Sequence, residues 1–179
     1  MNTTSPTDTP LRQFRGAHGS IIQGLEKLQE LPGLAAAMER ARSTAAETLA
    51  LFDHVVREHH SEEEQELFVS VRRSCRDDAE SRQVQDLVAL LTSQHRQIES
   101  MWETVRPAVA RVAAGKGSGD FMFGAEIDRL VSLYRAHAAQ EEEVFLPLAD
   151  MILRRNANHM EALGIALHLR HAPPPRAYI

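Results

Sequence analysis

The sequence predicts an all-α fold, an antiparallel up-and-down four-helix bundle with a short extra C-terminal helix and a tail. Three observations carry that expectation. Apolar residues recur at three- and four-residue spacing through four long stretches, the period of one helix face. The connections between those stretches are short, which suits antiparallel neighbours. The third observation is a duplication: the pair His59 and Glu63 returns as His137 and Glu141, at an offset of 78 residues.

The chain divides into an arm at 1–10, a bundle at 11–155, and a short helix with a Pro-rich tail at 156–179. Met1 to Pro10 is rich in Thr, Ser and Pro, as mobile arms are. A first helix is expected from about Leu11, with Phe14, His18, Ile21, Leu25 and Leu28 on one stripe. Leu31-Pro32-Gly33 is expected to end it. The second helix should run from about Leu34 to the region of Ser74, with Leu49, Phe52, Val56, His59, Glu63, Leu67 and Ser70 inward. A charged turn follows around Cys75 to Ala79. The third helix carries Val84, Leu87, Leu91, His95, Ile98, Trp102 and Val105, with a kink or frayed end expected at Pro107. Beyond the loop at Gly115 to Gly119, a fourth helix should extend from about Phe121 to Arg155. Its stripe is Ile127, Leu130, Tyr134, His137, Glu141, Phe145, Leu148 and Ile152. Asn158 and Glu161 resemble a capping box for the short fifth helix, with Met160, Leu163 and Leu167 on its apolar side.

Composition narrows the function classes. The chain has 179 residues, 43% of them hydrophobic, 25% charged and only 5% aromatic, a balance that suits helices around a sizeable core. A formal charge of -5 without a long basic run argues against nucleic acid as the main partner. No apolar run approaches a membrane span and no signal-peptide core opens the sequence, so a cytoplasmic setting without a membrane partner is expected. Cys75 is the single cysteine, which leaves no disulfide framework within the chain. Nine histidines are the oddity, and their positions carry the argument.

His18 precedes His59 by 41 residues and His95 precedes His137 by 42. Each half is thus a helix with one inward His, followed by a helix with an inward His-x-x-x-Glu pair. Placed antiparallel, the halves bring four imidazoles and two carboxylates together at mid-bundle, a group that needs a counter-charge or a metal. Nitrogen and oxygen donors without a thiolate point to iron or manganese. A lone buried His is more often a satisfied core residue than a ligand; duplication of the whole pattern reverses that weighting.

The other polar residues have plainer readings. Glu62, Glu64, Glu142 and Glu143 read as a solvated face or as outer carboxylates. His54 lies well around the helix from His59, His60 stands one residue off the seam, and His159, His168 and His171 belong to the C-terminal segment. Tyr134 and Trp102 read as core, with Tyr134 one turn from His137. Cys75 reads as an ordinary thiol beside Arg72, Arg73 and Arg76. The Glu-x-x-His pairs of ferritin-like bundles are absent, as is the zinc-protease His-Glu-x-x-His string.

The order His, His-x-x-x-Glu, His, His-x-x-x-Glu, with the segments HHSEEEQELF and HAAQEEEVFLP, resembles the hemerythrin-like (HHE cation-binding) domain. The resemblance covers roughly Leu11 to Arg155. It implies a non-haem centre of two iron ions with an oxo or hydroxo bridge. His18, His59, His95 and His137 would be its terminal ligands, and Glu63 and Glu141 its bridging carboxylates. Compared with the oxygen-carrying members, Glu99 stands where a second His follows the first on the third helix, and Glu141 stands one residue earlier than their Asp. The members with fewer histidines are linked to redox sensing, nitric oxide, peroxide chemistry and iron-centre repair. Three functions follow as expectations: a protein binding dioxygen, nitric oxide or peroxide; a peroxide-decomposing or other redox enzyme at the same irons; and a metal-free helical interaction module.

Overall fold

The computed structural model describes residues 10–171, and they are all-helical, consistent with a helical bundle. The first nine residues of the expected arm and the tail from Pro173 lie outside the described residues, as do the side chains of Phe14, Leu167, His168 and His171. Helix α1 (Pro10–Leu28) leads into α2 (Leu31–Ala50), which continues through a π-helical turn (Leu51–Val56), α3 (Arg57–Glu62), a second π turn (Glu63–Leu67) and α4 (Phe68–Arg73). The residues at these junctions all keep right-handed helical dihedrals, so Leu31 to Arg73 is one continuous helix widened twice. Helix α5 (Asp78–Ala113) follows, then α6 (Phe123–Gln140), a third π turn (Glu141–Phe145) and α7 (Leu146–Leu153), again continuous, and finally α8 (Ala157–His171). No helix among the described residues is long and apolar enough to cross a membrane.

Helix α5 is the axis against which α2, α4 and α6 pack. Val84, Val88, Leu91, His95, Ile98, Trp102, Val105 and Val109 are buried along it, alternating four and three residues apart. That is the spacing of a coiled-coil seam. Asp77 caps its start by accepting the Glu80 amide at 2.9 Å. Buried Glu80 reaches back to the Arg76 amide at 2.9 Å and accepts Arg155 at 2.7 Å, which ties the start of α5 to the end of α7. At the other end Gly115, with φ of 72°, lets the Gly115 and Lys116 amides return to Val112 and Arg111, both at 2.9 Å. Pro107 lies within α5 and does not end it.

Two apolar clusters form along this axis. One gathers Phe68, Val71, Val84, Val88, Leu91, Phe145 and Ile152, with Leu163 of α8. The other gathers Ala45, Ile98, Trp102, Val105, Val109 and Leu130. Helix α8 is started by Asn156, whose side-chain oxygen accepts the Asn158 amide at 3.0 Å, so the cap sits two residues before the expected Asn158. His159 then meets Ser74 at 2.7 Å and pins α8 to the end of α4.

Helix α1 departs from the expected packing. Ile21, Ile22, Leu25 and Leu28 are each more than half exposed, as are Leu31, Leu34 and Met38 at the start of α2. Leu31-Pro32-Gly33 opens α2 instead of ending the first helix. A proline in the first turn of a helix loses no bond, because its missing N–H has no partner there anyway. Helix-type bonds from the Gln29 amide to Leu25 and from the Leu34 amide to Glu30 carry the chain through the join.

Asp53, on the first π turn, fastens that widened segment to α5. It accepts the Trp102 indole N–H at 3.1 Å and the Arg106 guanidinium at 2.7 Å, while Phe52 stacks on Trp102 with centroids 4.5 Å apart. The Arg106 hydrogen bond, with help from Trp102, holds the Asp53 carboxyl at about 2, down from its ordinary 3.8. A depressed carboxylate stabilises fully above its unfolded value and stops doing so as the pH falls through the folded one. Asp53→Asn is expected to cost about 1–2 kcal/mol at neutral pH, allowing for the solvent around Arg106. It should also flatten the acid-side fall in stability between about pH 4 and about pH 2, read from urea midpoints across that range.

Candidate metal centre

Between the two apolar clusters lies a polar layer. His60, Glu63, His95, His137 and Glu141 are all buried there, His95 completely. Each imidazole turns Nδ1 outward to an acceptor. His95 Nδ1 meets Glu64 Oε1 at 2.8 Å, His60 Nδ1 meets Glu99 Oε1 at 3.2 Å, and His137 Nδ1 meets Gln94 Oε1 at 3.1 Å. An acceptor at Nδ1 holds a hydrogen on that atom and turns Nε2 toward the interior.

The Nε2 atoms of His60, His95 and His137, with Glu63 Oε2 and Glu141 Oε1, are buried without a hydrogen-bond partner. Some approach closely: His95 Nε2 is 3.3 Å from Glu63 Oε2, and His137 Nε2 is 3.4 Å from Glu141 Oε1. They sit within reach of charge attraction but are not aligned for hydrogen bonds. The donor atoms of Glu63, His95, His137 and Glu141 lie within 4.8 Å of one another, as do those of His60, His95 and His137. One cation would satisfy such a set at once.

The electrostatics of the layer are uneven. Burial works to lower the His95 pKa, yet the carboxylates of Glu141, Glu63 and Glu64 outweigh it and push the ring up to about 9. Burial and the charge on His95 bring His60 down to about 4 against the pull of Glu99. Burial also lowers His137, against Glu141. Burial raises Glu63, with Glu141 adding to it. Burial works upward on Glu141 as well, but the nearby imidazoles of His95, 3.8 Å away, and His137 hold it below its ordinary value. Burial and both carboxylates raise Tyr134, whose ring lies 6.0 Å from that of His137.

Of the six residues singled out in the sequence, the structure brings Glu63, His95, His137 and Glu141 into one cluster. His59 stands at its edge, 45% exposed, with Nε2 3.4 Å from Glu63 Oε1. His18 is exposed on α1 and is not part of the cluster. His60, set aside in the sequence as one residue off the seam, is buried within it. The π turns are the reason. From Ala45 through Leu49, Phe52 and Val56 an alternating seam arrives at residue 59, but the turn at Leu51–Val56 absorbs one more residue and the buried position becomes His60. The turn at Glu63–Leu67 does so again, burying Phe68 and Val71 where Leu67 and Ser70 were expected.

The layer offers a donor set that could hold a cation, with imidazole nitrogens and carboxylate oxygens converging from α3, α5, α6 and two π turns. No curated protein and no solved structure matches the chain. The family model of the Hemerythrin HHE cation binding domain matches residues 9–149. With that match over most of its length, and with the inward His and Glu atoms as its physical counterpart, the chain belongs to the hemerythrin HHE cation-binding domain family.

Proposed function

We propose that the protein is a non-haem di-iron protein that binds or reacts with dioxygen, nitric oxide or peroxide in sensing or redox protection. The observation that carries the reading is the division of the Glu63 carboxylate. Its Oε1 faces His59 Nε2 at 3.4 Å and its Oε2 faces His95 Nε2 at 3.3 Å, so a single carboxylate addresses two positions. His95 and His137 would hold one ion and His59 the other, with Glu63 and Glu141 spanning both and His60 closing the inner side. By the family pattern His18 supplies the remaining imidazole. Reaching it requires α1 to lie along an antiparallel up-and-down bundle, for which Ile21, Leu25 and Leu28 provide an apolar face. An iron pair supplies reversible binding of these small oxidants, or electron transfer to them. These side chains would hold the ions, with the apolar clusters on either side of them.

Glu99 bears on the choice between carrier and redox chemistry. It accepts from His60 and Arg96 and so serves the imidazole from outside. Cys75 takes no part: burial raises its thiol, and Sγ donates to the Val71 carbonyl at 3.4 Å. A reducing, cytoplasmic setting accords with it.

Anaerobic reconstitution with ferrous iron, followed by metal analysis and spectra on adding oxygen, nitric oxide or peroxide, tests the reading. The expected result is two irons per chain and, after oxidation, a near-ultraviolet band of a bridged ferric pair. Catalytic loss of peroxide selects the enzyme. A chain that takes up no iron is the helical interaction module instead.

A further inference from the structure

Arg96 follows His95 on α5, and its side chain is 58% exposed. Its guanidinium nonetheless forks between carboxylates on two different helical segments. Nη2 meets Glu64 Oε2 at 2.6 Å and Nη1 meets Glu99 Oε2 at 3.0 Å. Each carboxylate gives its other oxygen to an imidazole: Glu64 Oε1 accepts from His95 Nδ1 at 2.8 Å, and Glu99 Oε1 accepts from His60 Nδ1 at 3.2 Å. The two rings stack with centroids 3.9 Å apart and planes 6° apart. The path is therefore closed, running from guanidinium to carboxylate, ring, ring, carboxylate and back. A cleft of about 180 Å³ is lined by His60, Glu64, Arg96 and Glu99 of this path, together with Arg57.

We propose that Arg96 is a positioning residue for the metal centre: by clamping Glu64 and Glu99 together it fixes the orientation and the donor tautomer of His95 and His60. The inference rests on the reading of these two rings as metal-facing. A planar fork suits the task, because an ammonium offers a point charge to one partner at a time. Solvent-exposed ion pairs add little to fold stability. Partners that orient a ligating imidazole act on the metal instead, typically by 10- to 100-fold in affinity. The two roles therefore separate in measurement.

The test uses the full chain, stripped of metal and titrated with zinc as a redox-silent probe and with ferrous iron under anaerobic conditions. Arg96→Met is expected to weaken both metals by roughly 10- to 100-fold while leaving the melting temperature of the metal-free protein within about 2 °C of wild type. Arg96→Lys, which keeps charge but not the fork, should fall between. In the zinc-loaded protein, imidazole nitrogen spectra should show His60 and His95 as uniform Nδ1–H tautomers in wild type and as mixtures in Arg96→Met. His95→Ala separates the possible failures. If it binds metal like wild type, the reading of the centre itself fails. If it loses metal while Arg96→Met binds as tightly as wild type, the positioning role alone is overturned. A fall in metal-free melting temperature that matches the loss of affinity overturns that role too, by making Arg96 structural.

Discussion

Loading the metal-free protein with ferrous iron is expected to raise its melting temperature by roughly 8–16 °C at a free metal concentration about a thousandfold above Kd. Binding to the folded state alone is worth about 4 kcal/mol at that excess, and each kcal/mol moves a chain of this size by about 2–4 °C. The structure says why the effect is large. Three buried Nε2 atoms and two buried carboxylate oxygens converge without hydrogen bonds. Each such group costs about 1–3 kcal/mol when left unmet, so the metal-free layer works against the clusters on either side of it. Calorimetry of chelator-stripped and loaded samples measures the difference. Equal melting temperatures, with iron bound, would place the metal somewhere other than this layer.

His60→Ala and His59→Ala are expected to differ in kind. His60 is 1% exposed and its Nε2 points into the cluster. Its removal should weaken metal binding by about a hundredfold, at the top of the range for losing an orienting partner or beyond it. His59 is 45% exposed and faces one oxygen of Glu63, Oε1, at 3.4 Å. Its removal should halve the metal content and leave the inner ion in place. Metal analysis after gel filtration, with competitive chelator titration, separates the two results. Full metal content and unchanged affinity in His60→Ala would show that its burial is packing alone.

These two residues also mark how far the sequence could be read. The α5 seam was legible because its spacing holds without interruption from Val84 past Trp102, and His95 falls within it. The duplicated pair was legible because Glu63 and Glu141 head equal segments 78 residues apart. The π turns Glu63–Leu67 and Glu141–Phe145 begin at those glutamates and repeat at the same offset. A π turn has no marker in composition, and counting at 3.6 residues per turn loses register across the two between Leu51 and Leu67. That is why His59 and His60 exchange places and why Phe68 is buried instead of Leu67. The exposure of α1 was hidden for another reason: Leu31-Pro32-Gly33 reads as a breaker, yet proline fits the first turn of the helix that follows.

The outer acceptors of the three buried imidazoles give the layer a direction. His60 and His95 lean on the carboxylates of Glu99 and Glu64, whereas His137 leans on the neutral amide of Gln94. A carboxylate draws the Nδ1 proton toward itself and leaves the ring closer to imidazolate; an amide does so far less. The three buried imidazoles thus differ as electron donors, richer along the stacked pair His60 and His95 and poorer at His137. Charge arriving in this layer meets a gradient built from the exchange of one amide for a carboxylate.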